Sequence, residues 1–122
     1  MKIIGIVKKE RGHGKEMGFP TINIEIDGKV IINDGIYAAE IFINNIKYLG
    51  AAYYGIPHEG KEKRLEVHIF DFNKDVYGQK VELLLHKKFR DSKSFSNRKE
   101  VTNAIKKDCE NIKEYFNSSQ KE

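Results

Sequence analysis

Isoleucines at 22, 24 and 26 alternate with Thr21, Asn23 and Glu25, a period of two that marks a strand with one buried face. The β-branched run over residues 2–7 predicts a strand before it. Asp27-Gly28 and Asp34-Gly35 are turn signals, and the second leads into a strand over residues 36–43. Asn44-Asn45 then joins that strand to residues 46–54 as a hairpin. A polar loop over residues 55–64 follows, then a strand pattern over 65–72, a turn around 73–78 and a last strand over 80–89. Six strand candidates separated by short turns predict a mainly β chain closed into a small antiparallel barrel, since closure removes the exposed edges. The period then changes. Val101, Ala104, Ile105, Ile112, Tyr115 and Phe116 recur at helical spacing. Asn97 is an N-cap with Glu100 three residues on, so a helix is expected over residues 98–116 against the barrel. The domain is taken as residues 1–116, with a polar tail over 117–122.

Composition adds boundaries. A chain of 122 residues buries a core without metal or disulfide staples, and 39% hydrophobic with 33% charged residues is the balance of a soluble domain. No apolar run is long enough to span a bilayer, and no signal peptide is visible. Cys109 is the one cysteine, which points to a reducing, cytoplasmic setting and to a packing role for its thiol. The net charge of +4 favours anionic partners only weakly. The basic pairs are scattered among acids, as on a solvated surface.

Candidate chemistry starts at residues 12–23, Gly-His-Gly-Lys-Glu-Met-Gly-Phe-Pro-Thr-Ile-Asn. Exposed N–H groups among Gly12, Gly14 and Gly18, with Lys15, suit phosphate oxygens. Thr21 and Asn23 project to one face of a strand, where two neutral oxygens suit a hard cation such as Mg²⁺. The alternative on local chemistry is a plain glycine hairpin. Glu66 shares a strand face with His68, Phe70 and Phe72, and aromatic neighbours raise a carboxylate's pKa toward that of a general base. His68 reads as a supporting residue, because no cysteine or histidine partner stands at metal spacing. Asp108 falls on the apolar side of the helix and needs either a cationic partner or solvent at the stripe's edge. Arg90 offers that partner or a grip on phosphate; Phe95 is a helix anchor or a stacking ring.

These motifs, in this order, resemble the riboflavin kinase family. The match runs through Gly14-Lys-Glu-Met-Gly18-Phe-Pro-Thr21-Ile-Asn23, Asp34-Gly35-Ile36-Tyr37-Ala38, Leu65-Glu66-Val67-His68-Ile69-Phe70-Asp71-Phe72 and Val76-Tyr77-Gly78-Gln79. It continues through Arg90, Phe95, Val101, Ile105 and Asp108, so it covers nearly the whole chain. The resemblance implies a Greek-key barrel of six antiparallel strands with a C-terminal helix. It implies Mg-ATP-dependent phosphorylation of riboflavin to FMN by a cytoplasmic monomer. Carried onto this chain, Glu66 is the base. Gly12, Gly14, Lys15, Gly18, Pro20, Thr21 and Asn23 hold the nucleotide, Thr21 and Asn23 also hold Mg²⁺, and Arg90, Ser92 and Phe95 meet the flavin. This sequence departs from the family at Glu10, at Ser92 and over Tyr53-Tyr54-Gly55-Ile56-Pro57. It starts at the kinase domain, so FAD synthesis is not expected. The rival reading is a non-catalytic flavin or nucleotide sensor on the same scaffold that binds RNA through its basic surface. A barrel for single-stranded nucleic acid would need aromatics interleaved with cations on one open face, of which Tyr48, Tyr53 and Tyr54 are only a hint.

Overall fold

A computed structural model describes residues 1–9, 18–56, 62–93 and 95–120. The described residues form β1 (Lys2–Lys8), β2 (Ile22–Ile26), β3 (Gly35–Ile43), β4 (Ile46–Gly55), β5 (Arg64–Ile69), β6 (Lys80–Arg90) and α1 (Arg98–Gln120). Every strand pairs antiparallel with its neighbours, in the cyclic order β1-β2-β5-β4-β3-β6. The return of β5 to lie beside β2 makes the connection a Greek key. The closed barrel and single C-terminal helix are those expected from the strand pattern and from the family resemblance.

Alternation decides what fills the barrel. Ile3, Val7, Ile24, Ile41, Val67 and Leu83 point inward with the rest of a continuous apolar cluster. The β3–β4 hairpin turns on Asn44 and Asn45, whose φ values of 51° and 64° are the positive pair a two-residue turn demands. Gly35 opens β3 where only a hydrogen fits: a Cβ there would lie 2.7 Å from the Arg90 carbonyl oxygen.

One part of the outer face is apolar. Ile36 and Ala38 of β3, with Leu49, Ala51 and Tyr53 of β4, meet Ile112, Tyr115 and Phe116 of α1 in a second cluster. Full burial of Ile112 and near-full burial of Phe116 stabilise the docked helix by about 1.5–3 kcal/mol each. The N-terminus of α1 is capped as expected: Asn97 Oδ1 accepts the Glu100 N–H at 2.9 Å. The Glu100 carboxylate reaches back to the N–H of Ser96 rather than to that of Asn97. Nearer its other end, the Tyr115 hydroxyl lies 3.0 Å from His86 Nδ1, while His86 Nε2 lies 2.9 Å from Glu40.

Three details differ from the sequence expectation. α1 continues past Phe116 to Gln120. β5 ends at Ile69, and Asp71 takes a positive φ of 54°. That turn rotates Phe72 into the barrel interior, edge-on to Tyr48, so Phe72 does not share the Glu66 face. Arg90 is the last residue of β6 rather than the first of a loop. Register shifts against β3, where Ala39 faces Leu85 but Tyr37 faces Lys88 and Ile36 faces Arg90, add residues to β6. The added residues re-aim the end of the strand, and Phe89 lies against the helix side of the sheet.

Candidate functional site

Among the described residues, the predicted site residues Asn23, Glu66 and Arg90 fall on one line across the outer surface of the barrel. Asn23 of β2 is paired with Glu66 of β5, Glu66 with Tyr53 of β4, Tyr53 with Ile36 of β3, and Ile36 with Arg90 of β6. These five residues form one rung across five adjacent strands. Directly paired residues in antiparallel strands have Cα atoms about 4.5–5.5 Å apart. The candidate base therefore sits beside Asn23, with Arg90 at the far end of the same rung.

Asn23 is 8% exposed, and its Oδ1 finds no hydrogen-bond partner among the described residues. A buried amide oxygen without a partner is disfavoured by about 1–3 kcal/mol, so this atom is held ready for a donor or a cation. Thr21, one residue before β2, is half-buried and engaged in an interaction of its own. Gly18 has a φ of 86°, a backbone conformation that favours glycine. The Pro20 carbonyl lies 2.8 Å from His68 Nδ1. Gly12, Gly14 and Lys15 lie outside the described residues.

Beside Asn23 opens a cavity of about 460 Å³ whose lining includes Lys8, Lys9, Lys63 and Arg64, with Glu25 and Tyr54 among its other walls. Lys8 is paired with Glu25, and Lys63 with Asp34 at 3.0 Å. With Glu25 and Glu62 set against four cations in the lining, the mouth keeps a modest positive excess that favours anionic ligands.

At the rung's centre Tyr53 is half-buried, and burial, followed by the negative charge of Glu66, raises the pKa of its phenol; Arg90 acts in the opposite direction. Its hydroxyl donates to the Ile56 carbonyl at 2.8 Å. Gly55 lies against that phenol: a Cβ there would sit 3.0 Å from the Tyr53 hydroxyl and 3.6 Å from the Ser92 Cβ. Ser92 thus approaches the rung from the segment after β6. Tyr53 was not singled out as a site residue from sequence, because its neighbours Glu66 and Ile36 come from other strands.

Arg90 is held firmly. Its Nε donates to both Asp108 carboxylate oxygens at 2.9 and 3.1 Å, and its Nη2 donates to Asp108 Oδ2 at 2.8 Å. A third edge donates to the Asp91 carbonyl, and the guanidinium lies 5.6 Å from the centre of the Phe95 ring. Of the two roles open to Asp108, the cationic partner is the one found. Arg90, Ser92 and Phe95 therefore form an anchored corner that joins β6 to α1. Cys109 is buried beside it, and burial pushes its thiol up to about 11, in keeping with packing rather than nucleophilic chemistry.

Among the described residues no three His, Cys, Asp or Glu side chains cluster to hold a metal ion, and no helix is long and apolar enough to cross a membrane.

Comparison with known proteins agrees with this fold. The family model for flavokinase (riboflavin kinase) matches residues 1–116. The chain is 38% identical over 110 residues to the bifunctional riboflavin kinase/FMN adenylyltransferase of Buchnera aphidicola subsp. Schizaphis graminum, covering 85% of this chain and 35% of that protein. It is 35% identical over 118 residues to the RNA-binding riboflavin kinase RibR of Bacillus subtilis, covering 93% of this chain and 50% of that one. A crystal structure described as a macrolide-efflux protein from Streptococcus pneumoniae superposes with a TM-score of 0.78 at 32% identity, over 88% of this chain and 36% of that chain. The chain thus spans about a third to a half of the length of these relatives. With a family model running from the first strand into the helix, the chain belongs to the riboflavin kinase family.

Proposed function

We propose that this chain transfers the γ-phosphoryl group of ATP to the 5′-hydroxyl of riboflavin, giving FMN and ADP. The observation that carries the reading is the single rung Asn23–Glu66–Tyr53–Ile36–Arg90. It sets an unpartnered buried oxygen next to a carboxylate, with the basic cavity on one side and an aromatic, anchored corner on the other. A two-substrate transfer needs that division. The nucleotide phosphates lie toward Thr21, Asn23 and the glycine-rich segment, and the flavin toward Tyr53, Ser92 and Phe95.

Phosphoryl transfer is catalysed mainly by positioning and charge neutralisation. Glu66 accepts the proton of the 5′-hydroxyl as that oxygen bonds to the γ-phosphorus, while the bond from the γ-phosphorus to the β–γ bridging oxygen breaks and ADP leaves. Hydrogen-bond reach to the hydroxyl is sufficient for this. Glu66 stands on a rigid strand, paired on both sides, so its carboxylate is aimed without help from the substrate.

The residues present fit a magnesium ion. The orphaned Asn23 oxygen is a neutral hard donor, and the described residues lack an acidic cage that would bind the ion by itself. Thr21 and Asn23 would hold it together with substrate phosphates, the usual arrangement for Mg²⁺. When bound, the ion supplies neutralisation of the phosphate charge.

Incubating the protein with riboflavin, ATP and Mg²⁺ and separating the flavins by chromatography tests the proposal. Wild type should form FMN, and Glu66→Gln should slow turnover by about 10²–10⁴-fold. Absence of FMN with wild type at saturating substrates, or an equally fast Gln variant, would refute it.

A further inference from the structure

His68 projects from β5 on the same outward face as Glu66, two residues further along the strand. Its Nδ1 lies 2.8 Å from the carbonyl oxygen of Pro20. A carbonyl oxygen only accepts, so Nδ1 carries the proton and donates; the neutral ring then has Nε2 unprotonated. The imidazole is bracketed edge-on by Phe19 at 5.6 Å and by Phe70 at 5.8 Å. Lys113 of α1 stands 4.9 Å from the centre of the Phe70 ring. The His68 ring therefore has one preferred plane, and in that plane its donor meets the backbone immediately before Thr21.

The position of this bond gives it leverage. The ladder between β2 and β5 starts at Ile22, which faces Val67. Phe19, Pro20 and Thr21 precede that first rung, and Pro20 has no N–H to contribute to a ladder. The His68–Pro20 bond, backed by the Phe19 contact, extends the attachment between the two strands beyond the point where sheet pairing begins.

We propose that His68 is a positioning residue for phosphoryl transfer. By donating its Nδ1 proton to the Pro20 carbonyl it locks residues 19–21 to the strand that carries Glu66. It thereby sets Thr21, on the nucleotide side, at a fixed offset from the base. The proposal rests on the kinase reading above for its consequence, but the clamp itself is a property of the free protein.

Two measurements test it separately. In the ligand-free wild-type protein, the ring-nitrogen chemical shifts of His68 should report the Nδ1–H tautomer; the Nε2–H tautomer would overturn the clamp, whatever the enzyme does. In steady-state assays, His68→Ala and His68→Gln should raise KM for ATP about five- to tenfold, as expected for one lost hydrogen bond. KM for riboflavin should stay within about twofold in both. His68→Asn places an amide N–H where Nδ1 stood and should bring KM for ATP back to within about twofold of wild type. Glutamine reaches instead to the Nε2 position, so it controls for polarity without the donor. If Gln restores as well as Asn, or if both substrates' KM values rise together, His68 only packs the strand and the positioning role is wrong. A wild type that makes no FMN would refute the kinase reading instead, and the tautomer would still decide the clamp.

Discussion

Removing the Asp108 carboxylate is the sharpest perturbation of the corner formed by Arg90, Ser92 and Phe95. The Arg90 and Asp108 side chains are 19% and 9% exposed, and three N–H···O contacts of 2.8–3.1 Å join them. In Asp108→Ala the guanidinium would remain four-fifths buried without its counter-charge. Breaking one side of a buried pair is destabilising by about 3–5 kcal/mol. The partial exposure of Arg90 and its contact with Phe95 keep the effect near the lower end, about 3 kcal/mol. Asp108→Asn keeps the shape and one acceptor oxygen but loses the charge, so about half that loss is expected. The double variant Arg90→Met with Asp108→Leu strands no charge and should lose only about 1 kcal/mol, well short of the loss in Asp108→Ala. Urea unfolding followed by circular dichroism measures all four proteins. With a slope of about 2 kcal/mol per molar, Asp108→Ala should shift the midpoint by roughly 1.5 M. A loss below about 1 kcal/mol for Asp108→Ala, or a double variant as unstable as Asp108→Ala itself, would refute the reasoning.

Two further outcomes follow from buried groups. Asn23→Leu removes an orphaned oxygen and fills a similar volume, so the melting temperature should hold or rise. The Mg²⁺ concentration needed for half-maximal activity should rise about tenfold or more, whereas a clear fall in melting temperature would show that Asn23 serves the fold instead. Cys109 should resist thiol reagents at pH 8 until the protein unfolds, because its thiol is pushed up to about 11. With the unfolded thiol near 8.5, the unfolded state loses its proton first. The thiol's effect on stability is therefore absent below about pH 8 and increasingly unfavourable as pH rises from there toward 11. Rapid labelling of the native protein at pH 8 would contradict this.

Much of the fold was legible because its signals are local. The Ile22–Ile26 alternation, the Asn44-Asn45 turn and the Asn97 cap each need only neighbouring residues. What escaped sequence reasoning depends on partners far along the chain. Asp108 was ambiguous until Arg90, on another element, was seen to meet it. Phe72 was assigned to the wrong face because one positive φ at Asp71 breaks the alternation, and aspartate takes that conformation without a glycine to announce it. Arg90 was expected in a loop because added residues in β6 disturb the period near its end. The candidate site residues themselves came from ordered motifs that resemble the family. The rung that unites them, with Tyr53 at its centre, is a matter of strand register, and register across a closed barrel is not written in any short window.

That rung also constrains how substrates can enter. Its members come from β2, β5, β4, β3 and β6, and each is tied to its neighbours by ladder bonds that belong to the barrel as a whole. Separating Asn23 from Glu66 would mean opening the β2–β5 ladder, and a closed barrel has no edge from which such an opening can spread cheaply. The spacing between Asn23 and Glu66 is therefore as stable as the fold itself. Outside the ladders, two side-chain tethers flank the rung: Pro20, held by His68, and Arg90, held by Asp108 and packed against Phe95. On the proposed reading, the chemistry stands on rigid strands, which suits the positioning that phosphoryl transfer depends on. On that reading, His68 and Asp108, which hold the two ends from off the rung, are places where substitution should change substrate affinity without unmaking the base.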